Sequence, residues 1–240
     1  MRPLYLLALG SLLALGACRL YDPQEGIVTA DILSLTLEHE AILADGRDAM
    51  LLTVSLGPEA QANQLVTFQT SQGRFAAAAG LGGGSEAQSI SLMSSGRMAS
   101  AYLIADQVVN DRVTVSAQVG DFVVVEAARF ERAYPEQILA TLSEPILPAT
   151  PGAETTLSLQ LLRSLGQVSD GTQVDFAYTD LSDTTELRLS LPETAFSEGN
   201  SLEVPVTVRS GSGVAEVVAE VRDESGNLVV SKSVVVEVVE

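Results

Sequence analysis

Alternation of apolar and polar residues, the pattern of half-buried β-strands, dominates the chain from residue 31 onward. β-Branched residues are frequent in these runs, and almost nothing predicts a long helix. Turn residues such as Asp45-Gly46 and Asn110-Asp111 separate one run from the next. About seven short strands in roughly 100 residues predict a β-sandwich in the first half. The clearest runs are Leu33–Leu37, Met50–Leu56, Val66–Phe68, Ile90–Leu92, Val113–Val119 and Phe122–Phe130.

The alternation restarts after Tyr134-Pro135-Glu136, and the second half can be laid over the first. Residues 64–68 align with residues 172–176, and residues 115–119 align with residues 217–221. The two offsets differ only by a plausible loop length, so the halves are two copies of one architecture. We therefore predict an all-β chain of two tandem immunoglobulin-like β-sandwich domains. Within the second copy, Pro205 predicts an edge strand.

The N-terminus breaks this pattern. Arg2 precedes a short apolar stretch, residues 4–16, which is too short to span a bilayer and runs into small residues. The last four residues of the segment, Leu15-Gly16-Ala17-Cys18, resemble the lipobox of bacterial lipoproteins. That resemblance implies cleavage before Cys18, acylation of its thiol and anchoring of the mature chain to a membrane. An ordinary secretory signal with a chance cysteine near the cleavage site is the alternative.

These patterns divide the chain into four predicted segments. By the same resemblance, Arg19 after the cysteine implies a cell-envelope location, as an outer-membrane lipoprotein that faces either the surface or the periplasm. The segments are a signal peptide (1–17), a lipidated tether (18–27), a first immunoglobulin-like domain (28–132) and a second, more divergent one (133–240).

Four short pieces occur in order along the first domain, at residues 44–49, 64–68, 96–103 and 113–117. They resemble the bacterial immunoglobulin-like domains of the invasin/intimin type. The resemblance implies spacing, adhesion and surface display, with a protein or cell-surface ligand, rather than catalysis. The second domain keeps only the skeleton of the pattern and lacks the Asp-Gly opening. The four pieces are Ala44–Ala49 before the Met50–Leu56 run, Gln64–Phe68, Gly96–Leu103 and Val113–Ala117.

Charge narrows the range of partners. The chain carries 31 Asp and Glu against 13 Lys and Arg, and Lys232 is its only lysine. Such a surface repels nucleic acid and anionic lipid headgroups, so neither is predicted as a partner. The acidity is interpreted as a property of the surface rather than as a site.

Residues for catalysis are scarce. His39 is the only histidine, and no nucleophile motif accompanies it. An acylated Cys18 leaves no thiol for chemistry or for a cysteine-based metal site. We therefore predict no enzymatic activity, no cofactor, no small-molecule substrate, and no catalytic or metal-ligating residue. Lipidation of Cys18 is the one site that the sequence assigns.

Acidic turns and aromatic side chains offer two alternatives. None of the acidic clusters has the spacing of an EF-hand loop, so solvated turn carboxylates are the default. Calcium at the Asp180–Glu186 loop, or between the domains, is the alternative. Sugar binding is disfavoured because the chain has no tryptophan to stack on a sugar ring. The plain Ala76–Ser85 loop is interpreted as a flexible connector. The acidic clusters are Asp45 with Asp48, Asp180 with Asp183 and Glu186, and Asp223 with Glu224 and Asn227; the tyrosines weighed are Tyr102, Tyr134 and Tyr178.

Together these observations predict a non-enzymatic, lipid-anchored envelope protein with a surface adhesion or spacer role. The alternative is a periplasmic accessory subunit that docks onto an envelope or secretion complex by strand-edge pairing. The long, Val-rich segment Leu228–Val239 is the docking strand in that alternative. A strand fully paired within the second domain is the competing interpretation, because natural sandwiches protect their edges.

Overall fold

A computed structural model describes residues 29–77, 87–182 and 186–240. Apart from one helical turn, α1 (Thr29–Ile32), its regular elements are β-strands. Nine strands build the first half: β1 (Leu33–Leu37), β2 (Ala41–Leu43), β3 (Ala49–Leu56), β4 (Leu65–Thr70), β5 (Arg74–Ala77), β6 (Ser89–Met93), β7 (Met98–Ile104), β8 (Asn110–Val119) and β9 (Phe122–Glu131).

These nine strands form two sheets that face each other across one hydrophobic core. The strand order is β1-β3-β7-β5 in one sheet and β2-β9-β8-β4-β6 in the other. Apolar side chains at every second position point inward, as the alternation along the sequence predicts. Met50, Leu52 and Val54 of β3 are fully buried, and so are Val66 and Phe68 of β4.

Nine further strands build the second half with the same order. Its sheets run β10-β12-β16-β14 and β11-β18-β17-β13-β15. A separate hydrophobic core lies between them. The fold prediction is confirmed as an all-β chain of sandwich-type sheets. The strands are β10 (Gln137–Leu142), β11 (Ile146–Pro148), β12 (Glu154–Leu162), β13 (Gln173–Asp180), β14 (Arg188–Ser190), β15 (Thr194–Phe196), β16 (Ser201–Ser210), β17 (Gly213–Arg222) and β18 (Leu228–Val239).

The strand registers of the two halves correspond residue by residue. Phe68 of β4 lies opposite Ala117 of β8 in the first sandwich. Phe176 of β13 lies opposite Ala219 of β17 in the second. These are the pairs that the sequence alignment of the two halves matches, so the internal repeat extends to hydrogen-bond register. The residue boundaries 28–132 and 133–240 of the two domains stay predictions.

Most strands that the alternation did not reveal are short. The exception is β7, which has seven residues but carries small alanines, Ala99 and Ala101, at two of its inward positions. β2 has three residues and β5 has four, too few to show a period of two. Ala76 and Ala77, assigned to a flexible connector from the sequence, belong to β5, and the rest of that connector lies outside the described residues.

The edge position predicted from Pro205 is wrong, because β16 lies between β12 and β14. Proline is tolerated there because β14 is only three residues long and pairs with β16 no further than Thr207. The amide of Val208 donates to the carbonyl oxygen of Ala153 (2.8 Å), and its carbonyl oxygen accepts from the amide of Gly152 (2.9 Å). Both partners directly precede β12, so the backbone of Val208 faces β12. By alternation, the nitrogen of Pro205 points to the opposite side, beyond the reach of β14.

The predicted signal peptide (1–17) and the whole predicted tether (18–27), including Cys18, lie outside the described residues, so lipidation of Cys18 stays a prediction. Within the described part of the chain, no helix is long and apolar enough to cross a membrane.

Candidate functional site

The most elaborate polar arrangement lies where the two sandwiches meet. It begins with the turn between β2 and β3, the Asp-Gly motif of the sequence analysis. Oδ1 of the buried Asp45 accepts hydrogen bonds from the backbone amides of Arg47 (2.8 Å) and Asp48 (2.6 Å). Oδ2 of Asp48 accepts one from the amide of Leu43 (2.9 Å). Oδ1 of Asp48 accepts from the amide of Ala49 (3.0 Å). Three of the four carboxylate oxygens therefore bond to backbone amides and hold the turn in one shape.

The rigid turn presents backbone carbonyls to the second sandwich. The loop between β12 and β13 reaches back and supplies the donors. The amide of Gln167 donates to the carbonyl oxygen of Asp45 (2.8 Å), and the amide of Asp170 donates to that of Gln107 (2.9 Å). The side-chain amides of Gln107 and Gln167 also bond to each other. The two sandwiches are thus joined by backbone hydrogen bonds, and not only by the covalent linker.

Ser169 is the centre of this junction and is fully buried. Its hydroxyl donates to the carbonyl oxygen of Ala44 in the first sandwich (2.7 Å) and accepts from the amide of Ala133 in the linker (2.8 Å). The amide of Ser169 donates to the carbonyl oxygen of Ala133 (3.1 Å). One side chain therefore ties together the first sandwich, the linker and the second sandwich.

Gly166 allows the close approach. Its φ is +70°, a region that favours glycine. A Cβ placed on Gly166 would lie 2.1 Å from Oδ2 of Asp45, so any larger residue would force the two loops apart. Nothing in the local alternation of the sequence marks Gly166 or Ser169, because their partners lie in the other half of the chain.

A groove runs along the other side of the junction. Its volume is about 380 Å³, and its lining includes Arg132, Tyr134 and Phe196. Burial, and then the negative charge of Glu224, raise the pKa of the Tyr134 phenol. Phe196 is 60% exposed, which makes it an aromatic surface that the sequence analysis did not consider. The carboxylates in the lining are those of Asp175, Asp223 and Glu224, and both oxygens of Asp223 bond to Asn227 in the turn between β17 and β18.

The last strand of each sandwich, β9 in the first and β18 in the second, is only partly paired along its outer edge. β2 covers only Arg129–Glu131 of β9, and β11 covers only Glu237–Val239 of β18. The remaining outer edge of each strand points its backbone amides away from its sheet. Each open half carries an inward-directed charge among apolar neighbours, Glu126 in β9 and Lys232 in β18. Inward charges of this kind oppose pairing with a further strand.

The other residues singled out from the sequence lie apart from one another. His39 is solvent-exposed beyond the end of β1, with Nε2 3.9 Å from Oε1 of Glu38. Tyr134 and Tyr178 pack against the second core rather than forming a platform. The carboxylate of Asp180 accepts from the amides of Ser182 and Leu187 (both 2.8 Å), and Asp183 lies outside the described residues.

Asp223 closes the turn between β17 and β18. Its Oδ1 accepts from the amides of Ser225 (2.9 Å) and Asn227 (2.8 Å). Over residues 29–77, 87–182 and 186–240, no three or more His, Cys, Asp or Glu side chains are grouped so as to hold a metal ion. Asp180 and Asp223 thus act as turn-forming carboxylates, as Asp45 and Asp48 do, whereas Glu186 forms an exposed ion pair with Arg188 (2.6 Å).

Comparison with solved structures defines the class of fold. The Yersinia pseudotuberculosis adhesin InvE is similar with a TM-score of 0.55 and 15% identity, over 88% of this chain and 59% of that one. Invasin, a bacterial integrin-binding protein, is similar with a TM-score of 0.57 and 17% identity, over 86% of this chain and 39% of that one. This chain therefore spans less than two thirds of either structure.

No protein-family profile and no curated protein sequence matches the chain. At the level of fold, the resemblance drawn from the four sequence pieces is confirmed. The chain has the tandem immunoglobulin-like architecture of invasin-type bacterial adhesins.

Proposed function

We propose that this protein is a lipid-anchored, non-enzymatic component of the bacterial cell envelope whose paired sandwiches hold a binding surface away from the membrane. The observation that carries the proposal is the junction centred on Ser169. A flexible string of domains does not need a buried side chain that bonds both domains and the linker, whereas a spacer of fixed length does. The similarity in fold to InvE and invasin supports the same role.

The charge distribution fits attachment to a protein rather than to a nucleic acid or a bilayer surface. With a formal net charge of −18, the chain is repelled by other polyanions. Acyl chains on Cys18 would supply membrane attachment, and several acyl chains hold a protein more firmly than one. The residues between Cys18 and the first sandwich would then serve as the tether.

The rival role, a periplasmic accessory subunit that docks through β18, is less well supported. Most of β18 is paired with β17, and Val236 and Val238 are buried in the second core. Its open half presents the inward-directed Lys232 to any incoming strand. These features favour a strand that closes its own sandwich.

Protease treatment of cells tests the proposal. We compare intact with permeabilised cells that make either the wild-type chain or the Cys18→Ala variant. We expect the wild-type protein to stay in the membrane fraction and to be cleaved on intact cells. The Cys18→Ala variant is expected to leave that fraction, because the lipid is its proposed anchor.

Two results contradict the proposal in different ways. Protection of the wild-type protein until the cells are permeabilised places it in the periplasm and supports the accessory-subunit role. Retention of the Cys18→Ala variant in the membrane fraction, at the wild-type level, rules out the acyl anchor.

A further inference from the structure

Phe196, the last residue of β15, lines two grooves of the second sandwich. It pairs with Gln173 on the outward side of the sheet, while its neighbour Ala195 packs against the core. The other phenylalanines of the chain are buried or half-buried, so Phe196 is the exposed one. The groove already described along the junction is called the junction groove. The second, called the edge groove, has a volume of about 550 Å³ and is lined mainly by residues of β12 and β16.

The junction groove places a hydrogen-bonded polar pair beside the aromatic ring. Nε2 of Gln173 donates to Oδ1 of Asp175 (2.7 Å), and both side chains belong to the lining. The bond fixes the two side chains against each other. A side-chain amide and a carboxylate together present both donors and acceptors to a ligand.

The edge groove repeats this arrangement with different residues. Ser158 of β12 lies opposite Glu203 of β16, and its hydroxyl donates to Oε1 of Glu203 (3.4 Å). Both residues line the edge groove together with Phe196. The exposed ring therefore has a polar pair containing a carboxylate in each of the two grooves that it lines.

The first sandwich serves as an internal comparison, because it has the same strand order and register. There Met93 holds the position of Phe196, and Leu65 holds that of Gln173. The fold therefore requires neither the aromatic ring nor its polar neighbours, and the arrangement belongs to the sequence of the second sandwich. The residues in place of Asp175 and Glu203 are Thr67 and Ser100.

A ring flanked by such pairs has the chemistry of a sugar site. One face of a pyranose ring carries C–H groups that pack on an aromatic ring, and its hydroxyl groups both donate and accept hydrogen bonds. The sequence disfavours sugar binding because tryptophan is absent, but the exposed Phe196 supplies the aromatic surface instead. We propose that the second sandwich binds a neutral saccharide chain across Phe196, with one unit stacked on the ring and hydroxyl groups bonded to the polar pairs of both grooves.

The size and charge of the grooves restrict the ligand. Volumes of about 380 and 550 Å³ lie within the range of small-molecule sites, about 300–1,000 Å³. The linings hold five carboxylates against two guanidinium groups, so uronic and sialic acids are repelled and an uncharged saccharide is favoured. The charged groups are Asp175, Glu198, Glu203, Asp223 and Glu224 with Arg132 and Arg222.

Fluorescence of the Phe196→Trp variant tests the proposal. The full chain is purified from membranes in a detergent without a sugar headgroup, and the new indole is its only tryptophan. The probes are neutral tetrasaccharides of glucose, galactose, mannose and N-acetylglucosamine, with hexalysine as a cationic probe. We expect at least one tetrasaccharide to bind and to change the emission. Because this ligand is uncharged, its affinity should stay the same when NaCl is raised from about 0.05 M to 0.5 M.

The panel also separates two sources of a neutral saccharide. Preference for the N-acetylglucosamine tetrasaccharide indicates a glycan of the bacterial wall, whereas preference for a hexose tetrasaccharide indicates a glycan of another surface. Either preference supports the proposal, because both ligands share the same chemistry.

A matched pair of substitutions, measured by calorimetry, locates the site. Phe196→Ala removes the stacking surface and should lower the affinity for the bound tetrasaccharide roughly tenfold or more. Met93→Ala, at the equivalent position of the first sandwich, should leave it unchanged. Asp175→Asn and Glu203→Gln each remove a carboxylate acceptor and should weaken binding severalfold. Limited proteolysis checks that every variant is folded.

Three results overturn the proposal. They are the failure of all four tetrasaccharides to bind, an equal loss of affinity in Phe196→Ala and Met93→Ala, and binding of hexalysine alone that disappears in 0.5 M NaCl. The last result would identify a basic peptide as the ligand. All of these measurements use purified protein, and none bears on Cys18 or on cleavage of the protein on intact cells. The saccharide site and the proposed function can therefore fail separately.

Discussion

Replacement of Ser169 by alanine tests whether the junction couples the two sandwiches. The substitution removes a fully buried hydroxyl and leaves both of its backbone partners, the carbonyl of Ala44 and the amide of Ala133, without it. Each buried polar group left unpaired costs about 1–3 kcal/mol. Two such groups give about 2–6 kcal/mol, and we expect about 3 kcal/mol because partial relaxation brings water to one of them.

Urea unfolding measures this cost. At an m value of about 1.5 kcal/mol/M, a loss of about 3 kcal/mol lowers the midpoint of the transition by about 2 M. Hydrogen exchange at the amide of Ala133 gives a local measure, because Ser169 accepts that amide's hydrogen bond. This amide should exchange much faster in the Ser169→Ala variant than in the wild type.

Ser143 provides the matched control. Its hydroxyl also accepts a backbone hydrogen bond, from Thr156 (3.0 Å), and bonds to the hydroxyl of the buried Thr155 (3.0 Å), but Ser143 itself is exposed and lies away from the junction. Water can reach the Thr156 amide, and the Thr155 hydroxyl keeps its bond from the amide of Glu144, so Ser143→Ala should cost no more than about 1 kcal/mol. The reasoning is refuted if Ser169→Ala is as stable as Ser143→Ala, or if the Ala133 amide stays protected.

Two further predictions concern the second sandwich. Removal of residues 234–240 deletes the buried Val236 and Val238, each worth about 1.5–3 kcal/mol of burial, and should unfold this sandwich in limited proteolysis; a resistant fragment would show instead that the strand is dispensable. The second prediction concerns acid, because hydrogen bonds from Ser182 and Leu187 lower the pKa of Asp180 below its usual 3.8. A lowered pKa in the folded state means that the contribution of Asp180 is present above the unfolded-state pKa and is lost as pH falls through the folded value. Stability of the wild type should therefore drop more steeply below pH 3.8 than that of Asp180→Asn, and equal slopes would contradict this assignment.

Local periodicity was sufficient to predict the architecture. Strands of eight to ten residues such as β3 and β8 show several cycles of alternation, and the repeat of those cycles predicted the second sandwich. β2 and β11 could not be predicted in this way, since each has three residues and pairs in parallel with a strand distant in the sequence. Their existence depends on tertiary pairing, which no local pattern encodes.

The junction could be predicted only in part. The Asp45-Gly46 turn could be recognised in the sequence as a motif. In the structure, hydrogen bonds to the Asp45 side chain hold this turn, and the carbonyl oxygen of Asp45 accepts a hydrogen bond from the second sandwich. Ser169 and Gly166 were not visible, because an isolated serine or glycine in a loop has many explanations.

The parallel pairing of β2 with β9, and of β11 with β18, determines how each sandwich responds to tension. In the first sandwich the amide of Arg129 donates to Glu40 (2.9 Å) and the amide of Ala44 donates to Glu131 (2.7 Å). The second repeats this with Glu237 to Pro145 (2.9 Å) and Ala149 to Val239 (2.7 Å). A pull along the chain slides each short strand lengthwise against its long partner. The bonds of each patch are therefore loaded together in shear, rather than opened one after another as in a hairpin pulled apart from its end. The two parallel patches lie in series along the chain, one in each sandwich. Each patch therefore bears the full force that is transmitted through the protein.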